Sequence, residues 1–158
     1  MAVAAVAACG GDDGDELSIQ SYADRIGQAG EDVKIDTQRL GAEFDRKELD
    51  SQQDLDDALE EFFREVGALF DEAADVADAL REPSEVSSEH DDYLVKTRLV
   101  ADAFDDLSAA TGGDDDAAAD AAVTAAFVEY EISCTALVTA VDSNGGQLTL
   151  DCQIGTAS

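Results

Sequence analysis

Residues 55–80 read "LDDALEEFFREVGALFDEAADVADAL". Leu55, Leu59, Phe62, Val66, Leu69, Ala73, Val76 and Leu80 recur there at spacings that alternate between four and three. That recurrence predicts the seam of an amphipathic α-helix, and the alternation suits left-handed packing against a second helix. Half of the residues between are Asp or Glu, so the opposite face belongs in water. One such stripe cannot bury itself; it needs partner helices.

The rest of the chain supplies them. Ile19, Tyr22, Ile26, Ala29, Val33, Leu40 and Phe44 form one stripe, with the polar Thr37 in its weak middle. Val86, His90, Tyr93, Thr97, Val100, Phe104 and Leu107 form another. Val123, Phe127, Tyr130, Cys134, Leu137 and Val141 form the last. The breaks between stripes carry the chemistry of helix ends. Asp50-Ser51 can cap the second helix, Pro83 can stop it, and Ser84 or Ser87 can cap the third. Thr111-Gly112-Gly113 can end the third and Asp114–Asp116 can start the fourth. Asn144-Gly145-Gly146 can end the fourth. Helices of ~25–30 residues run ~40 Å, and such short connections set neighbours antiparallel. The expected fold is all-α: an up-down-up-down four-helix bundle over residues 17–158, with a short extended C-terminal tail.

Composition agrees. The chain has 158 residues, about one domain, and 45% of them are apolar, enough for a core. Trp is absent and Pro83 is the single proline, whereas alanine is abundant. Nine basic against 38 acidic side chains give a formal charge of −29. A nucleic-acid duplex or an anionic lipid surface would repel such a chain, so neither is an expected partner. The pairs Glu43–Lys47, Glu60–Arg64 and Asp92–Lys96 have the favourable i,i+4 order, worth a few tenths of a kcal/mol each. They cannot offset the repulsion, so burial must carry the fold.

The first residues, "MAVAAVAACGGDDGDE", turn from small apolar side chains to glycine and acid at Cys9. The apolar run is far shorter than the ~20 residues a spanning helix needs. Val6-Ala7-Ala8-Cys9 resembles the lipobox that closes a bacterial lipoprotein signal. The resemblance implies that residues 1–8 are a signal remnant cleaved before Cys9. It also implies that Cys9 carries diacylglycerol, and that residues 9–16 are a flexible acidic tether. Two acyl chains suffice for stable anchoring, so the implied location is the outer face of the cell membrane. In an exported protein the other two cysteines, Cys134 and Cys152, read as a disulfide. Its expected role is to clamp Leu148 and Leu150 over the end of the bundle. The tail pattern from Cys134 through Asn144-Gly145 to Cys152, with Leu80, Pro83 and His90 at the second turn, resembles small helical lipoproteins of actinobacteria. That group implies class and location without an activity.

No catalytic constellation is apparent. His90 is the only histidine; a di-iron bundle needs Glu-x-x-His on two helices, and Ser87 stands three residues before His90. CxxC spacing is absent, and the Asp114–Asp116 run lacks the alternating acids of an EF-hand loop. No metal and no cofactor are therefore expected. His90, Tyr93 and Thr97, with Thr37, are the polar residues on the seams, and so the candidates for a ligand lining or a proton switch. The reading is a lipid-anchored, non-enzymatic helical module for protein interaction or envelope scaffolding, its partner an envelope protein. That reading predicts a dry bundle with an exposed apolar patch. The alternative is a carrier of a small ligand or cation, which predicts a cavity with converging polar groups.

Overall fold

A computed structural model describes residues 16–153. Cys9, residues 1–8 and nearly all of the expected tether lie outside the described residues. Four helices follow one another: α1 (Ile19–Phe44), α2 (Gln52–Asp78), α3 (Ser87–Ala110) and α4 (Asp116–Ser143). No strand occurs among the described residues. Each helix packs on the next in the chain. Contacts near the ends show the directions. Phe44 at the end of α1 meets Phe62 early in α2, while Leu17 N donates to Arg81 O beyond the end of α2. Ser108 late in α3 donates to Glu60 O in α2, and along α4 the order reverses: Tyr93 early in α3 faces Tyr130, while the later Phe104 faces the earlier Phe127. The four-helix, antiparallel architecture is the one the stripes predict.

Helix ends follow local chemistry, with two corrections. Ser18 and Ser51 cap α1 and α2 by accepting from Ser21 N and Asp54 N. α3 has no side-chain cap. Val86 holds the N-cap position, Ser87 is already helical, and its hydroxyl donates to Glu82 instead. Pro83 does not stop α2, which ends at Asp78 with Ala79 as C-cap. Unwinding there frees Arg81 O for Leu17 N, so the turn ties down the start of α1. At the end of α4, Gly145 takes φ +84°. Gly146 N then donates to Val141 O and Gly145 N to Asp142 O, the bond pair of a Schellman cap.

All seven residues of the third stripe are buried. So are those of the fourth, apart from half-buried Phe127. The second stripe is rotated. The inward face of α2 centres on Val66, Phe70, Ala73, Ala74 and Ala77. Leu69 and Leu80 are half-buried, and Val76 is 44% exposed. The reason is ring area. Turned inward, Phe70 stacks on Phe104 (centroids 6.2 Å) and meets Phe127 and Tyr130 edge-on at 5.8 and 6.0 Å. An aromatic side chain buries more surface than leucine, and each such pair adds ~0.5–1.5 kcal/mol. Small residues allow the close approach. At Gly67 an added Cβ would lie 3.2 Å from Ala101 O and from Phe104 Cβ. The ring contacts run on from Phe44 through Phe62, Phe63, Phe104, Phe70 and Phe127. This row takes in all six phenylalanines of the chain.

The tail departs from expectation. It does not cover the bundle's end but runs back alongside α1. Gly146 lies against Ile19 and Gln147 N donates to Gln20 Oε1. Further along, Leu148 and Thr149 approach Gly27, Leu150 approaches Gly30, and Asp151 pairs with Lys34 at 3.4 Å. A Cβ at Gly30 would fall 2.5 Å from Leu150 Cδ2. Gly27 and Gly30 thus make a notch that admits the two leucines. Cys152 comes to disulfide distance of Cys134 on α4, Sγ–Sγ 2.00 Å and Cα–Cα 5.6 Å. The tail therefore bridges the first and last helices, because α4 ends beside Ile19 and the chain must travel back along α4 to reach Cys134.

Two outcomes are expected in urea titrations. Phe70→Ala should cost ~3–5 kcal/mol, and Leu69→Ala clearly less, reversing the order the stripe alone implies. Reducing the Cys134–Cys152 pair should cost ~3 kcal/mol on the loop-entropy relation and speed hydrogen exchange at the Leu148 amide, which donates to Asp142 Oδ1.

Candidate functional site

Two regions are candidates for a functional site: the polar groups inside the bundle and the apolar side chains left outside it. The polar groups come first. His90 sits in the first turn of α3 because the Pro83 turn delivers the chain inward at Val86, which is fully buried. Its ring is 2% exposed. Nδ1 lies 2.8 Å from the hydroxyl of Tyr22 on α1, across the bundle's diagonal, and the rings meet edge-on. Burial lowers the His90 pKa and outweighs the upward pull of Glu82, Asp91 and Asp78. The ring is accordingly neutral, and the tautomer decides which partner donates. Burial also raises the Tyr22 pKa, helped by Tyr93 and Glu82, so this pair is uncharged.

Tyr93 and Thr97 lie one and two turns deeper. Thr97 Oγ1 donates to Tyr93 O at 2.8 Å. Burial raises the Tyr93 pKa despite opposing hydrogen bonds from Tyr130 and Thr97. Tyr130 is raised too, by burial first and then by Tyr93. Each polar group in this row is engaged by a neighbour within the core. Thr37 stands apart: half-buried on α1, its Oγ1 has no partner. The structure places His90, Tyr93 and Thr97 along one line, as the sequence predicts, but they do not converge on a shared cavity. Among the described residues no three metal-ligating side chains cluster.

The apolar side chains left outside are more informative. Rotation of α2 leaves Leu69, Val76 and Leu80 facing α1 rather than the core. With Ala29, Val33 and Ala73 they floor an open groove of about 450 Å³ between α1 and α2. Its rim carries Arg25, Gln28, Asp32, Asp36 and Glu72. The groove exists because alanine occupies the contact on both sides, at positions 29 and 73. One signal in the sequence marks it: adjacent apolar pairs, Phe62-Phe63, Leu69-Phe70 and Ala73-Ala74, give α2 an apolar arc wider than one seam.

The second surface is the outer face of α4. Val123, Tyr130, Leu137 and Val141 point inward. Val128 and Ile132 are 53% and 61% exposed. Around them, outward positions 121, 125, 135, 136 and 139 are alanine or threonine. α4 is long and apolar enough to cross a membrane by length and composition, though a third of its most apolar window is buried in the bundle. The flanking acids turn aside: Glu129 pairs with Lys96 of α3 at 3.1 Å, and Glu131 accepts from Gln153. On the adjacent helix Val95 and Leu99 are 62% and 41% exposed.

Comparison with known proteins finds no matching family, no similar curated protein and no similar solved structure.

The His90 pair generates a pH test. The folded pKa lies below the imidazole reference of ~6.5, so the unfolded chain binds more protons in that window. Its stabilising contribution is full above ~6.5 and is lost as pH falls through the folded value. Between about pH 7 and about pH 5, wild type should therefore lose stability relative to His90→Gln. Tyr22→Phe should cost ~1–3 kcal/mol by stranding the ring nitrogen. Urea titrations at several pH values check both.

Proposed function

We propose that the protein is a lipid-anchored, extracytoplasmic interaction module without enzymatic activity. The observation that carries the reading is the outer face of α4. Over ~27 Å, the outward strip formed by positions 121, 125, 128, 132, 135, 136 and 139 bears no charge, on a chain of formal charge −29. Repulsion among carboxylates keeps most of the surface solvated and unassociated. An uncharged strip with Val128 and Ile132 at its centre is where desolvation is cheap and apolar contact is gained. The interior supports the same reading. Tyr22 and His90 bond to each other and Thr97 bonds back to Tyr93 O, so these core polar groups are engaged within the bundle, Thr37 excepted. Anchoring rests on the lipobox resemblance at Val6–Cys9. The Cys134–Cys152 pair supports export, since disulfides persist in oxidising compartments.

A photo-cross-linking side chain at position 128 or 132 of the full chain, in bacteria that process lipoproteins, should give a discrete adduct. The same group at Asp106, on the outer face of α3, should give none. Cys9→Ser should move the protein from the membrane fraction to the soluble one. Equal labelling at positions 128 and 106 removes the interaction reading, and unchanged fractionation removes the anchor.

A further inference from the structure

We propose that the groove between α1 and α2 is a docking site for a basic amphipathic helix of a partner protein, about three turns long. It is a different surface from the α4 face, and neither depends on the other.

The groove is built from what the fold leaves unused. The row Leu69, Ala73, Val76, Leu80 has the spacing of a helix-packing seam, yet of this row only Ala73 is buried, and the core takes Phe70, Ala74 and Ala77 from α2. α1 covers this row incompletely, because Ala29 opposite it is too short to fill the gap. Half a seam therefore remains: Leu69, Val76 and Leu80 stand at helical spacing, only partly covered by α1. From Leu69 to Leu80 the row extends ~16 Å. An open, elongated trough does not enclose a small molecule, whose sites cover most of the ligand surface. It does accept a helix presenting residues at i, i+3 or i+4, and i+7.

Charge selects the kind of helix. The rim carries Asp32, Asp36 and Glu72 against Arg25. Arg39 already pairs with Asp36 at 3.1 Å, whereas Asp32 accepts from the neutral Gln28, so Asp32 and Glu72 are the rim acids that meet a cationic partner. The whole chain adds a long-range negative field. A partner with Lys or Arg flanking its apolar row gains on both counts: steering at a distance and pairing at the rim. A second copy of this chain is repelled at a distance by its own charge of −29, and its uncharged α4 strip offers no cation to the rim.

The test uses the oxidised full chain and three synthetic peptides of equal length. One is a Leu/Lys amphipathic helix, one is the same composition scrambled, and one carries Glu in place of Lys. Fluorescence anisotropy should show the first binding at least tenfold more tightly than the others, with affinity falling as salt rises. Val76→Asp should weaken it at least tenfold. That substitution adds negative charge at an exposed position, so attraction by charge alone would be unchanged or stronger. Glu72→Lys should weaken binding and flatten its salt dependence, and Val128→Asp should leave binding as it was. Equal binding of the scrambled peptide, or of the first peptide to Val76→Asp, overturns the proposal. So does a dimer of the unliganded chain that Val76→Asp converts to monomer, since the occupant would then be a second copy.

Discussion

The constraint beneath everything else is charge repulsion. A chain with 38 acids and nine bases gains compactness only if its interior outweighs its surface. The interior does so with few large side chains. Alanine and glycine let the helices approach closely, and six phenylalanines, Tyr93 and Tyr130 fill the space between them. Phe70 is the centre, touching rings from both α3 and α4. Because such an interior is close-packed rather than oily, rotating α2 to admit Phe70 fixes where every other side chain on that helix must point.

The scarce cations are placed to the same end. Lys47 reaches Glu61 across the α1–α2 turn, Arg98 reaches Asp75 and Asp78 on α2, and Lys96 reaches Glu129 on α4. Lys34 reaches Asp151 in the tail. Of the three pairs expected within helices, only Glu60–Arg64 is formed, at 3.8 Å. Exposed pairs contribute little individually. Their value here is positional: each puts a positive charge where two acidic elements would otherwise repel.

Much of this was legible in residue order. The α1 limits, the buried third and fourth stripes and the glycine turns follow from periodicity and turn chemistry, and the partnering of Cys134 with Cys152 from reading the two cysteines left over after Cys9 as those of an exported chain. The rotation of α2 does not. Periodicity scores Leu69 and Phe70 alike, and only the facing rings on α3 and α4 decide between them. The tail's path also required three dimensions, since the Gly27 and Gly30 notch looks like weak helix until Leu148 and Leu150 occupy it. For the same reason His90 could be assigned to the interior but not to Tyr22, which lies 68 residues away. The groove was hidden in plain view: the clearest stripe in the sequence turned out to be only half covered.

The tail has a consequence for biosynthesis. α1 is made before the other three helices, yet its lateral wall is the last described segment to emerge. Gln20 waits for Gln147, 127 positions later. Helices α1 to α3 can meet early through near neighbours, whereas the seam beside Gly27 and Gly30 stays open until residues 147–152 have emerged. Closure is a late event, and a chain released short of Cys152 would leave with that side unsealed.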